Sequence, residues 1–187
     1  MVRVRKQAVG GTRDPAAQPL EVPLARQVQD SRAIAACLGR PDPSTVDTAD
    51  VDGVDASQAD ALQAGSNVST THTEQQARDD LDVLFSDQAI PCLKKETVAS
   101  FGREGIQVLD VGVGRFSLST ANVRSLGIHF EVAVAKGAKR GLLYADTVFM
   151  QQGRVEAQAS FVSFNGHFPI DVEQTVVTRF SHKVANV

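Results

Sequence analysis

Tryptophan is absent from these 187 residues, and tyrosine occurs once. Few side chains can therefore serve as stacking platforms, which argues against a carbohydrate reader or a single-stranded nucleic-acid reader. A formal net charge of −3 argues against a general polyanion binder. The two cysteines, Cys37 and Cys92, are too few for a disulfide scaffold and do not make a zinc site by themselves. No apolar run approaches the roughly 18 residues of a membrane-spanning helix. The opening Met1-Val-Arg-Val-Arg-Lys6 lacks the apolar core of a signal peptide. No Gly-x-Ser-x-Gly elbow occurs, so hydrolase chemistry has no support. The four histidines (His72, His129, His167, His182) include no pair at i+4 and suggest no metal, and no cofactor is expected.

What is present is a meander. From Gly127 onward three strand-like runs alternate with glycine-bearing turns. Ile128, Phe130, Val132 and Val134 alternate with His129, Glu131, Ala133 and Ala135, the period-two signal of a half-buried strand. Lys136 to Gly141 breaks the pattern as a solvated basic hairpin loop. The next run is apolar except for Asp146 and Thr147 and reads as a central strand covered on both faces. Gln152-Gly153 turns the chain into a third run carrying Val155, Ala157, Ala159 and Phe161 on one face. Pro169 then opens an amphipathic helix whose stripe reads Val172, Val176, Phe180 and Val184, with Val177 beside it.

Upstream, residues 1–22 are polar and glycine-bearing and read as a disordered arm; residues 23–187 read as one domain. A helix is expected from Pro23 to Leu38, stopped by Gly39-Arg40-Pro41. Residues 41–66, with six scattered aspartates, read as a solvated acidic loop rather than a calcium loop, because the terminal acidic ligand is missing. A short, polar, near-edge strand follows at 67–71. Thr73-Glu-Gln-Gln76 is a capping box before a helix with Ala77, Leu81, Leu84 and Phe85. Pro91 opens another helix with Leu93, Val98 and Phe101. Gly112 and Gly114 lie in strand-like sequence and read as a bulge or tight bend rather than a phosphate loop. The expected fold is α+β: an antiparallel meander sheet with helices on both faces, closed by the C-terminal helix.

Candidate site residues follow from these patterns. Asp146 interrupts an apolar strand and requires a partner; Arg154 and Arg179 are the expected cations, forming a structural ion pair. His129 and Glu131 share a strand face, as a surface pair or as an acid–base pair. Phe116, Phe130, Phe149, Phe161 and Phe164 are candidates for the wall of an apolar ligand site, or plain core.

The element order, with Ala36-Cys-Leu-Gly39, Pro91-Cys-Leu93 and Tyr144-Ala-Asp-Thr-Val-Phe-Met-Gln-Gln-Gly-Arg154 before a helix bearing Arg179, resembles the sensor-like and lipoprotein-like extracytoplasmic domains of actinobacteria. That group has affinities with the PsbP-like α/β sandwich. The resemblance implies a Cys37–Cys92 disulfide and a cell-envelope location; two free thiols in a cytoplasmic chain are the other reading. It also implies a non-catalytic module binding a small apolar ligand or a protein partner. The alternatives are a cytoplasmic interaction domain and a small enzyme using His129 and Glu131.

Overall fold

A computed structural model of the chain describes residues 32–40, 49–58, 62–118, 120, 122–164 and 166–186, with backbone alone over 49–58. The arm at 1–22 and the start of the helix expected from Pro23 lie outside the described residues. Helix α1 is described over 32–37. It is followed by β1 (Ala49–Gln58), β2 (Leu62–Thr70), α2 (Glu74–Phe85), α3 (Ala89–Arg103), β3 (Gln107–Phe116), β4 (Arg124–Lys136), β5 (Lys139–Gln152), β6 (Val155–Phe164) and α4 (Ile170–Ala185). The strands form one antiparallel sheet in the order β1-β2-β6-β5-β4-β3. The fold is the α+β meander read from the pattern, with α4 closing it.

Local chemistry accounts for the element ends. Thr73 caps α2 by accepting from the backbone N–H of Gln76. Gly105 ends the turn after α3 at φ +69°, where a side chain would be strained. The β4–β5 connection is tighter than the sequence suggests. Lys136 pairs with Lys139, so only Gly137 and Ala138 form the turn, and Lys139 to Gly141 belong to the strand. Opposite, Arg154 and Thr71 bond reciprocally: the Arg154 Nε–H donates to the Thr71 carbonyl, and the Thr71 N–H donates to that of Arg154. This ties the end of β2 to the β5–β6 turn.

The sheet separates two cores. Against one face, Leu81 of α2 and Leu93 of α3 pack on Leu126 and Ile128. Against the other, Val177 and Val184 of α4 pack on Val148, Met150, Ala157, Ala159 and Phe161. Each fully buried large side chain contributes about 1.5–3 kcal/mol, so helices on both faces are the minimum that covers this sheet. Phe116 lies across Gly127, its cross-strand partner; a Cβ there would sit 2.4 Å from the ring. Only glycine admits that approach.

Three expectations are corrected. The acidic segment is not a loop throughout: 49–58 and 62–70 form a hairpin, and β2 pairs along its length with β6. Its composition carries no alternation to read. What recruits it is the open edge of β6, whose backbone groups accept any chain that supplies hydrogen bonds. Gly112 and Gly114 are not a bulge; both sit in regular register, and the irregularity falls between Val108 and Asp110. The inward face of α4 is also displaced. Val172 and Val176 are 45% and 37% exposed, while Glu173, Val177, Ser181 and Val184 are buried.

Cys37 and Cys92 form a disulfide with Cα atoms 5.8 Å apart, tying the end of α1 to α3. The pair is 55 residues apart in sequence, and the chain-entropy model assigns a loop of that size about 4 kcal/mol. A Cys37→Ser/Cys92→Ser variant is expected to lose 2–5 kcal/mol of unfolding free energy in urea titration (order of magnitude). Unchanged stability would mean that the bridge constrains nothing.

Candidate functional site

The short β4–β5 turn decides what meets on the α4 side of the sheet. Cross-strand partners share a face. The register therefore sets Gly114, His129, Asp146 and Phe161 in one row across β3, β4, β5 and β6, with Gly112, Glu131, Tyr144 and Ser163 in the next. His129 and Asp146 are direct partners, with Nδ1 and Oδ1 2.5 Å apart. With the carboxylate as acceptor Nδ1 carries the hydrogen, and in the neutral ring Nε2 is then the acceptor.

The loop before α4 completes the site. Ser163 Oγ donates to the Gly166 carbonyl, and the Phe168 ring packs on Phe161 at 5.1 Å between centroids. Those two anchors set where α4 begins. His167 lies over Tyr144 with centroids 4.0 Å apart, and His129 is 6.2 Å from His167. From the first turns of α4, Glu173 enters the same space with only 7% of its surface exposed. Among the described residues no buried side-chain oxygen is left unpaired, so the carboxyl oxygens of Glu173 keep access to solvent. Burial pushes its pKa up to about 7; the charge of Asp146 pushes the same way, and His129 opposes both.

Among the described residues the result is a mouth with one open side. α4 roofs β5 and β6, whereas β3 offers only Gly112 and Gly114 beside it, and nothing lies within 4 Å of where a Gly114 Cβ would stand. Glu131 is exposed at the rim. The arrangement combines an oriented imidazole, one carboxylate bonded to it, a second carboxyl on a largely buried residue and two rings in tilted contact.

Few of the candidates named from sequence meet here. Asp146 is partnered by His129, not by Arg154 or Arg179. Arg154 lies beyond the end of β5, where it bonds Thr71, and Arg179 is exposed on α4. From Asp146 to Gln152 the strand alone runs about 20 Å. His129 bonds Asp146 rather than Glu131, because cross-strand neighbours on one face are closer than next-but-one residues on one strand. The five phenylalanines do not form one wall. Phe116 and Phe161 lie on the α4 side, while Phe130 and Phe149 belong to the core under α2 and α3, and Phe164 alternates to that same side. Tyr144, His167 and Glu173 were missed. For Glu173 a signal existed: in a helix of about 100° per residue it lies close in angle to Val177 and Val184.

A polar cleft of about 560 Å³ lies near the β5–β6 turn, lined by Glu74, Arg78, Arg124 and Gln152 among others. Its charges are mutually satisfied: Arg78 pairs with Glu74, and Arg124 pairs with Asp82. Among the described residues no cluster of three or more His, Cys, Asp or Glu side chains is arranged to hold a metal ion. In the same residues no helix is long and apolar enough to cross a membrane.

No family model matches this chain, and no curated protein does. Among solved structures, a Pseudomonas aeruginosa protein of unknown function (PA94) is similar over 74% of this chain and 81% of its own, at 10% identity and a TM-score of 0.27. A likeness that distant carries nothing about ligand or activity.

Glu173 and Glu156 both have pKa values raised to about 7 from 4.5, in each case chiefly by burial. For Glu156 the charge of Asp80 adds to it, and Arg40 opposes. Between those two values the folded state holds protons that the unfolded chain has released, so stability falls as pH rises through that window. The urea midpoint is expected to drop from pH 5 to pH 7.5, less steeply in Glu173→Gln, and least in Glu156→Gln/Glu173→Gln. A midpoint that climbs over the window in the unmodified protein would contradict this.

Proposed function

We propose that the protein is a ligand-binding module of the bacterial cell envelope, of the sensor-like or lipoprotein-like kind that its sequence resembles. It takes a small polar ligand in the mouth between α4 and β4–β5. The observation that carries this reading is Glu173, a largely buried residue whose carboxyl is held toward its protonated form by burial and by Asp146. Ionising a carboxyl in such surroundings costs free energy, and a ligand that supplies a donor offsets it. The division of the phenylalanines moves the reading from an apolar ligand to a polar one. The Cys37–Cys92 bridge supports an oxidising compartment, since such bonds persist outside the reducing cytoplasm.

One observation favours a second reading. Because Asp146 orients the His129 ring, Nε2 is suited to general acid–base work. In that case His129 and Asp146 replace His129 and Glu131 as the acid–base pair. Binding alone is the primary reading, because among the described residues no serine or cysteine bonds the ring.

A fragment screen on isotope-labelled protein separates the outcomes. The expected result is that binders shift the resonances of His129, Tyr144, His167 and the first turn of α4, and that Glu173→Ala weakens them at least tenfold. Shifts scattered over the surface would contradict a site at the mouth. Chemical conversion of a fragment that His129→Ala abolishes would select the catalytic reading instead.

A further inference from the structure

We propose that the polar cleft beside the β5–β6 turn binds a small zwitterion of the amino-acid type, with its carboxylate on Arg78 and Arg124 and its ammonium on Glu74. This site is separate from the mouth under α4, and the proposal does not rest on that reading.

The sheet supplies the floor. Arg124 of β4 and Gln151 of β5 are cross-strand partners and share a face. It is the face that also carries Leu126, packed against Leu81 of α2. The first turns of α2 bring Glu74 and Arg78 to the same cleft. Gly153 and Asn122 turn the chain at its border, both with left-handed backbone, at φ +55° and +58°. The space is about 560 Å³, within the range of small-molecule sites. Every described residue that lines it is charged, an amide or a glycine. Such a lining suits a ligand that is polar throughout.

Two of these groups are set before any ligand arrives. Arg124 is held by Asp82, which lies outside the lining, and its guanidinium sits over the Phe85 ring at 5.5 Å from the centroid. Gln151 is only 5% exposed, and its side-chain amide donates to the Gly153 carbonyl at 2.7 Å. A third group is exchangeable. Arg78 and Glu74 pair one helical turn apart with side chains 55% and 50% exposed, and an ion pair so exposed adds little to stability.

Charge balance selects the ligand class. Glu74 matches Arg78, and Asp82 matches Arg124. An anion that took Arg78 would leave Glu74 beside a new negative charge. A cation that took Glu74 would leave Arg78 beside a new positive one. A zwitterion replaces both halves of the pair at once, and no group loses its counter-charge. Each existing pair is made through one terminal nitrogen of its arginine. A guanidinium carries several N–H donors in a planar fork, so another edge can take a carboxylate. The amides of Gln151 and Gln152 match a hydrogen-bonding side chain on the ligand. No covalent bond forms.

The test uses L-glutamine at about pH 6.5, where both its ends are charged. N-acetylglutamine, without the ammonium, and glutaminamide, without the carboxylate, are the controls. Binding is followed by NMR on the full chain. L-glutamine is expected to shift the amides of Asn122, Gln151, Gln152 and Gly153, and to bind about tenfold more tightly than either control. Glu74→Gln is expected to narrow its advantage over N-acetylglutamine, and Arg78→Gln its advantage over glutaminamide. The three probes on the unmodified protein decide the matter if a variant fails to fold. Equal binding of all three, or tighter binding of either control, would overturn the zwitterion class. Shifts at His129, Tyr144 and His167 instead would move the ligand to the mouth and overturn this site. No shift with any probe would overturn the cleft as a site.

Discussion

The β4–β5 ladder is the constraint on which the rest depends. A two-residue turn at Gly137 and Ala138 fixes its register, and that register alone places His129 opposite Asp146. Two more residues in the turn would set Glu131 against Asp146 and His129 against Val148. The polar pair would then be a carboxylate facing a carboxylate, which repels rather than bonds. Everything built on the α4 face inherits the register: the bare strip of Gly112 and Gly114, the ring pair of Tyr144 and His167, and the floor on which α4 rests.

The second constraint is the rotational setting of α4. Residues spaced strictly by four drift about 40° at each step around a helix, so Val172, Val176, Phe180 and Val184 cannot all face one floor. Val184 is buried and Phe180 partly so, while the N-terminal pair turns outward. Glu173 is carried inward in their place, within about 40° of Val177. The loop anchors at Ser163 and Phe168 hold that setting from the other end. A helix docked this way trades two valines for one carboxyl, a choice that packing alone would not favour.

Much of the architecture was legible. Alternation exposed β4 and β6, the interrupted apolar run exposed β5, and Thr73 marked the start of α2. The disulfide came from resemblance, not from spacing. What escaped had physical reasons. β1 and most of β2 are held by main-chain pairing to an open edge, which leaves little trace in side-chain pattern. The phenylalanine wall failed because aromatic residues close in sequence fall on opposite faces of one sheet. Asp146 stood out as an acid needing a partner and is half-buried beside one, but that partner depended on a turn length that glycines at both 137 and 141 left open.

The central claim is that Glu173 is a buried carboxyl coupled to Asp146 and His129. Carbon-detected NMR titration of the glutamate carboxyls, with Glu173 assigned by difference from Glu173→Gln, tests it most directly. The account expects its midpoint near 7, with the His129 ring resonances responding over the same range. A midpoint near the ordinary 4.5 would show Glu173 in solvent, and the site proposed between α4 and the sheet would not exist.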